Sequence, residues 1–343
     1  MNFLGFELIP STAAWFAFAR QDLWLPVVIT SVVQLPMAYV VSVVWYYVTT
    51  VREREKIRRA FAFYLSPNMI RRITESPGEL NLGGEEIVGT AMFTDIKGFT
   101  SIAEGMTAPQ TAALLNEYFS AATGHVFETG GTLIKYIGDA IFAIWGAPLH
   151  MEDHATPACR AALGMAHLQD MLKDRPAGRL ITRIGVHTGP MLVGNLGSAQ
   201  RFDYTAIGDT INLAARLEGI NKSFGTRALV SGETLSATDG SMVSRLVGQV
   251  QVVGRARPVA VHELLGVTGE ATRPDARAIE CFARALDDYY ARRFREAADG
   301  FAEVRGVCGG TDGPSELYLE LIAGHEVEPP PDGWDGVIRL TTK

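Results

Sequence analysis

Between residues 87 and 186 the chain alternates strand-like and helix-like patterning in an order that few folds can accommodate. A compact apolar run at 87–94 stops at Asp95 and reads as a buried strand. An amphipathic helix follows at 109–128. Two β-type runs, 132–137 and 140–145, are separated only by Gly138-Asp139, the signature of a tight hairpin. A helix at 152–172 and a strand at 181–186 complete the series, followed by a glycine-punctuated stretch at 189–197. Strand, helix, two strands, helix, strand is the ferredoxin-like β-α-β-β-α-β arrangement of an α+β domain. Another helix at 209–221 precedes further strands.

In that topology the first strand lies beside the hairpin strands. Asp95 ends the first strand and Asp139 sits at the hairpin turn, so the two carboxylates meet at one edge of the sheet. A divalent cation is held against a triphosphate in this way, with phosphate oxygens completing its octahedron. The run Lys97-Gly98-Phe99-Thr100-Ser101 reads as a turn entering a helix, whose backbone N–H groups form an anion site. Asp95 alone would serve equally as a cap for that helix; Asp139 at the hairpin favours the metal reading. His150 and His154, beside Glu152 and Asp153, mimic a metal pair but read as the solvated start of a helix. Gly83-Gly84-Glu85-Glu86 reads as a loop before the first strand.

A chain of 343 residues holds about two domains. Its net charge of −7 argues against a nucleic-acid partner, which calls for a basic face. Three widely spaced cysteines, Cys159, Cys281 and Cys308, give no disulfide framework and no metal spacing, as in a reducing compartment.

Residues 27–47 carry no charge, and as a helix they are long enough to cross a hydrocarbon core of about 30 Å. Trp24 at one end and Trp45, Tyr46 and Tyr47 at the other resemble interfacial belts. Arg52, Arg54, Lys56, Arg58 and Arg59 place the C-terminal side in the cytoplasm. Residues 3–19 form a poorer second span, interrupted by Glu7 and Pro10. In the connector at 52–73, Ile57, Phe61 and Tyr64 share one a/d phase, consistent with a dimerising helix or with a helix packed on its own domain. Ser66-Pro67 ends that helix or restarts one at Pro67. Residues 275–304 form an amphipathic helical segment and 317–322 another, together like one tetratricopeptide unit.

Four segments carry a family resemblance: Ala91-Met-Phe-Thr-Asp-Ile-Lys-Gly-Phe-Thr100, Lys135-Tyr-Ile-Gly-Asp-Ala-Ile-Phe142, Arg183-Ile-Gly-Val-His-Thr-Gly189 and Tyr204-Thr-Ala-Ile-Gly-Asp-Thr-Ile-Asn-Leu-Ala-Ala-Arg216. In this order they resemble the class III nucleotide cyclases over roughly residues 85–265. The uncharged segment, the basic connector and Gly333-Trp-Asp-Gly336 look like bacterial members whose external sensor would precede residue 1. The implied organisation is a membrane segment at 1–50, a helical connector at 51–84, a catalytic domain at 85–267 and a helical tail at 268–343.

The resemblance implies an adenylate cyclase that converts ATP to cyclic AMP and works as a homodimer anchored in the cell inner membrane. It implies that Asp95, Asp139 and the carbonyl of Ile96 hold two Mg²⁺ ions per site, or Mn²⁺, and that Arg183 binds the triphosphate, with Phe99 and Thr100 at the phosphate turn. Lys135 and Thr205 match the adenine-reading pair: Lys135 donates to N1 of adenine and Thr205 accepts from the 6-amino group. Asn212 would orient the ribose and Arg216 would stabilise transition-state charge. A guanine reader needs an acceptor where Lys135 stands, so guanylate cyclase is the first alternative, and a catalytically silent nucleotide-binding module the second. Where the family places a phosphate-binding lysine this chain has Val253, with Arg255 and Arg257 as nearby substitutes.

Overall fold

The computed structural model describes residues 12, 15–20, 33–62, 66–75, 82–168, 180–198, 200–252, 255, 257–272 and 274–339. They fall into two compact units, Met1–Leu65 and Ser66–Lys343.

In the first unit, helix α1 (Leu35–Ala62) leaves Met37, Val40, Val44, Trp45 and Tyr47 exposed. The expected span at 27–47 begins outside the described residues, as does most of the poorer span at 3–19. Among the described residues no helix is long and apolar enough to cross a membrane. Of that expected span, α1 presents only the later part, the uncharged stretch from Leu35 to Val51 before Arg52, because residues 27–32 lie outside those described. The described residues therefore do not supply the expected transmembrane helix. The shared phase of Ile57, Phe61 and Tyr64 lies outside the residues whose side chains are described.

The second unit opens with α2 (Pro67–Glu75), a helix that does restart at Pro67. Asn68 Nδ2 donates to the carbonyls of Gly130 and Gly131 at 3.0 and 3.2 Å, which seats α2 on the domain. The domain then runs β1 (Gly83–Ile96), α3 (Phe99–Glu104), α4 (Ala108–Glu128), β2 (Thr132–Ile137), β3 (Ala140–Trp145), α5 (Ala155–Ala166), β4 (Thr182–Gly197), β5 (Phe202–Ile207), α6 (Asp209–Phe224), β6 (Ala228–Ser231), α7 (Gly232–Ser236), β7 (Met242–Gln251) and β8 (Val259–Val267). Helices α8 (Ala276–Tyr290), α9 (Phe294–Val307) and α10 (Gly313–Val327) follow, and β9 (Ile338–Arg339) ends the described chain.

Strands β2, β3, β1 and β4 lie side by side in that order, the spatial order of the expected β-α-β-β-α-β unit. The sheet continues through β6, β8, β7 and β9, while β5 pairs with β4. Alternation puts successive residues on opposite faces. On one face Met92, Ile141, Ala143 and Trp145 pack under α4 and α5 with Tyr118, Val126, Cys159 and Met165. On the other, Ala91, Phe142 and Ile144 pack with Met191, Val193, Ile211 and Ala214.

Two strands are longer than the sequence suggests. Gly83-Gly84-Glu85-Glu86 is not a loop but the start of β1, and the glycine-punctuated stretch at 189–197 continues β4. The reason is register: Gly84 faces Gly194 and Gly89 faces Gly189, so glycine meets glycine across the pair. A Cβ on Gly194 would stand 2.2 Å from the Gly83 carbonyl oxygen, so these glycines permit a close ladder instead of breaking it. Of the helix expected at 152–172, the described part runs over Ala155–Ala166, and residues 169–179 lie outside those described.

The C-terminal helices do not stand apart. The segment at 275–304 is two helices, parted where Arg292 takes a positive φ of 61°. Phe282, Phe301 and Tyr318 enter a core with Leu213, Leu217 and Phe224 of α6 and Val247, Val250 and Val261 of the sheet. Burial of each large side chain stabilises by about 1.5–3 kcal/mol. Arg245, 3% exposed, reaches Glu263 at 2.7 Å and Asp312 at 2.6 Å, and Asp312 accepts from the Ser315 amide to cap α10. Tyr318 donates its hydroxyl to the Val247 carbonyl at 2.8 Å.

Candidate functional site

Asp95 is the penultimate residue of β1, and the antiparallel register sets it opposite Arg183 on β4. Its neighbours Thr94 and Ile96 are buried on the side of α4 and α5, so Asp95 turns to the opposite face, which carries Ala91 and Phe93, and is partly buried there. The β2–β3 turn is the expected pair Gly138-Asp139, with Gly138 at φ 65°, the positive φ that two-residue hairpin turns require. That turn brings Asp139 back to the end of β1, where its Oδ2 accepts from the Ile96 amide at 3.2 Å. Three strand ends thus gather Asp95, Ile96, Asp139 and Arg183 at one edge.

The electrostatics of the cluster are those of a site short of positive charge. Burial, then the adjacent Asp139 charge and hydrogen bond, push the Asp95 carboxyl up to about 6, against the opposing pull of Arg183. Glu218 is pushed up to about 7 by burial and by Asp95, again opposed by Arg183. Three carboxylates around one guanidinium leave a deficit that a divalent cation would fill. Among the described residues no group of three or more His, Cys, Asp or Glu side chains is arranged to hold a metal ion. A two-carboxylate site fits Mg²⁺ on other grounds, because that ion keeps waters and takes substrate phosphates as its remaining ligands.

Glu218 was not among the residues singled out from the sequence. It lies two residues beyond Arg216, which turns it toward the sheet: its amide stands over Gly185, where a Cβ would come within 2.1 Å. A carboxylate between Leu217 and Ile220 on the inward face of an amphipathic helix was the available signal.

Phe99 and Thr100 open α3 after Gly98, which takes a left-handed φ of 69°, and no side chain caps the first turn. This is the expected turn into a helix, with Phe99 partly buried and Thr100 exposed.

The other predicted residues sit on β2, β5 and α6. Lys135 is exposed on β2 next to a bulge between Leu133 and Lys135, a feature that re-aims side chains. It pairs with Phe142, which stacks on Phe93 with ring centroids 4.5 Å apart. Thr205 faces Gly194 from β5. Strands β3, β1 and β4 separate β2 from β5, so no backbone register joins Lys135 to Thr205. Asn212 and Arg216 are exposed on α6, whose Leu213 and Leu217 point inward. Val253 lies outside the described residues; Arg255 engages Asp209.

The model of the adenylate and guanylate cyclase catalytic domain matches residues 86–265, more than half of the chain. Adenylate cyclase 1 of Rhizobium meliloti (strain 1021) is 37% identical over 225 residues, covering 63% of this chain and 33% of that one. The terminal-differentiation-specific adenylate cyclase of Dictyostelium discoideum is 30% identical over 241 residues, covering 67% of this chain and 11% of that one. The chain therefore spans a third or less of the length of these two relatives. The solved structure of a bacterial light-regulated adenylyl cyclase superposes with a TM-score of 0.56 at 23% identity, over 63% of each chain, a likeness of fold.

Proposed function

Because the chain belongs to the adenylate and guanylate cyclase catalytic-domain family, we propose that it converts ATP to 3′,5′-cyclic AMP and pyrophosphate at sites shared between two copies of itself. The observation that carries this reading is the gathering of Asp95, Asp139 and Arg183 at one sheet edge.

On this reading Asp95, Asp139 and the Ile96 carbonyl would hold two Mg²⁺ ions, or Mn²⁺. Bound there, the metals supply a lowered pKa for the ribose 3′-hydroxyl and charge neutralisation for the departing pyrophosphate. Arg183 pairs with triphosphate oxygens, and the turn at Phe99 and Thr100 offers them backbone N–H groups. Lys135 donates to N1 of adenine and Thr205 accepts from its 6-amino group, which a guanine ring would mismatch at both atoms. Asn212 orients the ribose, and Arg216 meets the charge that develops on the transferring phosphorus group. Exposure of Lys135, Asn212 and Arg216 supports a homodimer in which each copy completes the other's site.

Attachment to the cell inner membrane, with the catalytic unit in the cytoplasm, is proposed on the uncharged residues 27–47 and the basic residues after them. Recovery of the full-length chain from the soluble fraction of disrupted cells would refute that part.

The activity is tested by incubating the chain with ATP or GTP in Mg²⁺ or Mn²⁺ and measuring both cyclic nucleotides. Preferential cyclic AMP formation supports the proposal. A preference for GTP would make the chain a guanylate cyclase, and metal-independent silence toward both would make it a binding module.

A further inference from the structure

The inference rests on the cyclase reading and concerns how α6 is held. Asp209 opens α6, and Asn212 and Arg216 stand three and seven residues further along, so all three share one helix face. The flanking face is fixed by burial: Leu213, Leu217, Ile220 and Phe224 lie in the core shared with the C-terminal helices, while Ile211 and Ala214 on the far side pack on the sheet. The first turn is gripped by polar contacts. Thr210 Oγ1 donates to the Pro190 carbonyl at 2.6 Å, tying that turn to β4. On the exposed side, Arg255 from the β7–β8 connection donates through Nε to Asp209 Oδ2 at 2.8 Å, and its Nη2 approaches the same oxygen at 2.5 Å.

The Arg255 side chain is 28% exposed and that of Asp209 61%. A pair so placed adds little to global stability. Its geometric effect is larger, because the charge-assisted Nε–H···Oδ2 hydrogen bond gives the ion pair a direction as well as a distance. The pair also links the connection that carries Val253 to the stripe that carries Asn212 and Arg216. Arg255 is one of the two cations that the sequence leaves for the phosphate role, and here its guanidinium is turned to the head of α6.

We propose that Arg255 is a positioning residue for the cyclase reaction: its ion pair with Asp209 fixes the first turn of α6, and with it the direction of Asn212 and Arg216, instead of binding substrate phosphates.

The test uses the full chain with Arg255→Gln, Asp209→Asn and the double variant. Each single change is expected to lower kcat by about 3–10-fold while KM for ATP moves by less than about 2-fold, since a helix whose side chains act in the transition state is what has shifted. The double variant is expected to be no worse than either single one, the signature of one shared interaction, and Arg255→Lys should recover part of the loss. Amide hydrogen exchange at residues 211–213 is expected to speed up by about 3-fold or more in all three variants without nucleotide. A several-fold rise in KM in Arg255→Gln, with Asp209→Asn unchanged, would overturn the proposal in favour of direct phosphate binding. Additive losses would also overturn it, as would exchange identical to the parent chain. If the parent chain forms no cyclic AMP, the assignment of activity falls by itself and the exchange measurement still decides the role of Arg255.

Discussion

The carboxylate edge and the exposed face of α6 differ in how they are finished. Asp95, Ile96, Asp139 and Arg183 come from three strand ends, but backbone register within one chain brings them together. Asn212 and Arg216 on α6, with Lys135 on β2, are displayed outward, and register does not gather them. On the shared-site reading proposed above, one region is a completed half-site and the other a presented one. A surface of the first kind is tuned by charges within the chain; one of the second kind acquires its function on meeting a complementary copy.

The comparison breaks most decisively at the completed half. Asp139→Asn keeps size and removes the charge, so cyclase activity should fall by at least about 100-fold, the scale of losing one strong transition-state interaction. Far-UV circular dichroism should stay unchanged. Substantial Mg²⁺-dependent turnover in this variant would place the metals elsewhere.

Mixing tests the division itself. Asp139→Ala damages the completed half and Arg216→Ala the presented half, so each protein alone should be inactive. A mixed dimer holds one site with both lesions and one intact site, so mixing should restore up to about half of parental activity per mixed dimer. A mixture that stays inactive, while mixed dimers are shown by affinity capture, would end the shared-site reading.

Glu218 sharpens the same experiment, because it rides on α6 yet its charge environment is that of Asp95 and Arg183. Glu218→Ala should cost about 10-fold in activity, a smaller effect than losing a metal carboxylate. It should be complemented by Arg216→Ala and not by Asp139→Ala. The reverse pattern would assign Glu218 to the presented half. Substrate choice probes the presented half alone: Lys135→Glu with Thr205→Cys should raise GTP use relative to ATP by about 10-fold or more. A ratio of the two products identical to that of the parent chain would remove the adenine-reading assignment.

The smallest expected effect concerns the frame common to both halves. His187 on β4 is buried, its Nδ1 lies 2.7 Å from Ser231 Oγ, and burial lowers its pKa from 6.5 to about 4. Between those values the unfolded chain binds the proton and the folded chain does not. Stability present above pH 6.5 should therefore be lost as pH falls toward about 4, by on the order of 1–3 kcal/mol. Thermal melts across that window check the slope, and His187→Gln should flatten it.

The completed half was legible because its signals are local. A strand ending on Asp95, and a two-residue turn that can only be a hairpin, fix where two carboxylates go once the strand order is known. Lys135, Thr205, Asn212 and Arg216 were found through motif resemblance, since nothing in their own spacing says what they face. Glu218 escaped because a charge on a buried helix face reads as noise until Gly185 is seen beneath it. The start of β1 and the end of β4 escaped because glycine weakens a single strand, while glycines paired across two strands do not. The C-terminal helices were legible as helices, but their shared core with α6 depends on contacts that no local pattern encodes.

The short strand β9 runs parallel to β7, where Val250 faces Ile338. With it and the three helices removed, β7 would become an open edge offering its backbone donors to any passing chain, and the apolar surface now covered by Phe282, Phe301 and Tyr318 would face water. The stretch that matches the family thus shares one of its cores with the helices that follow it. Anyone transplanting this unit would be better served by a cut upstream of Ser66 than by one after Val267, where a clean-looking sequence boundary is expected to leave a sticky, self-associating protein.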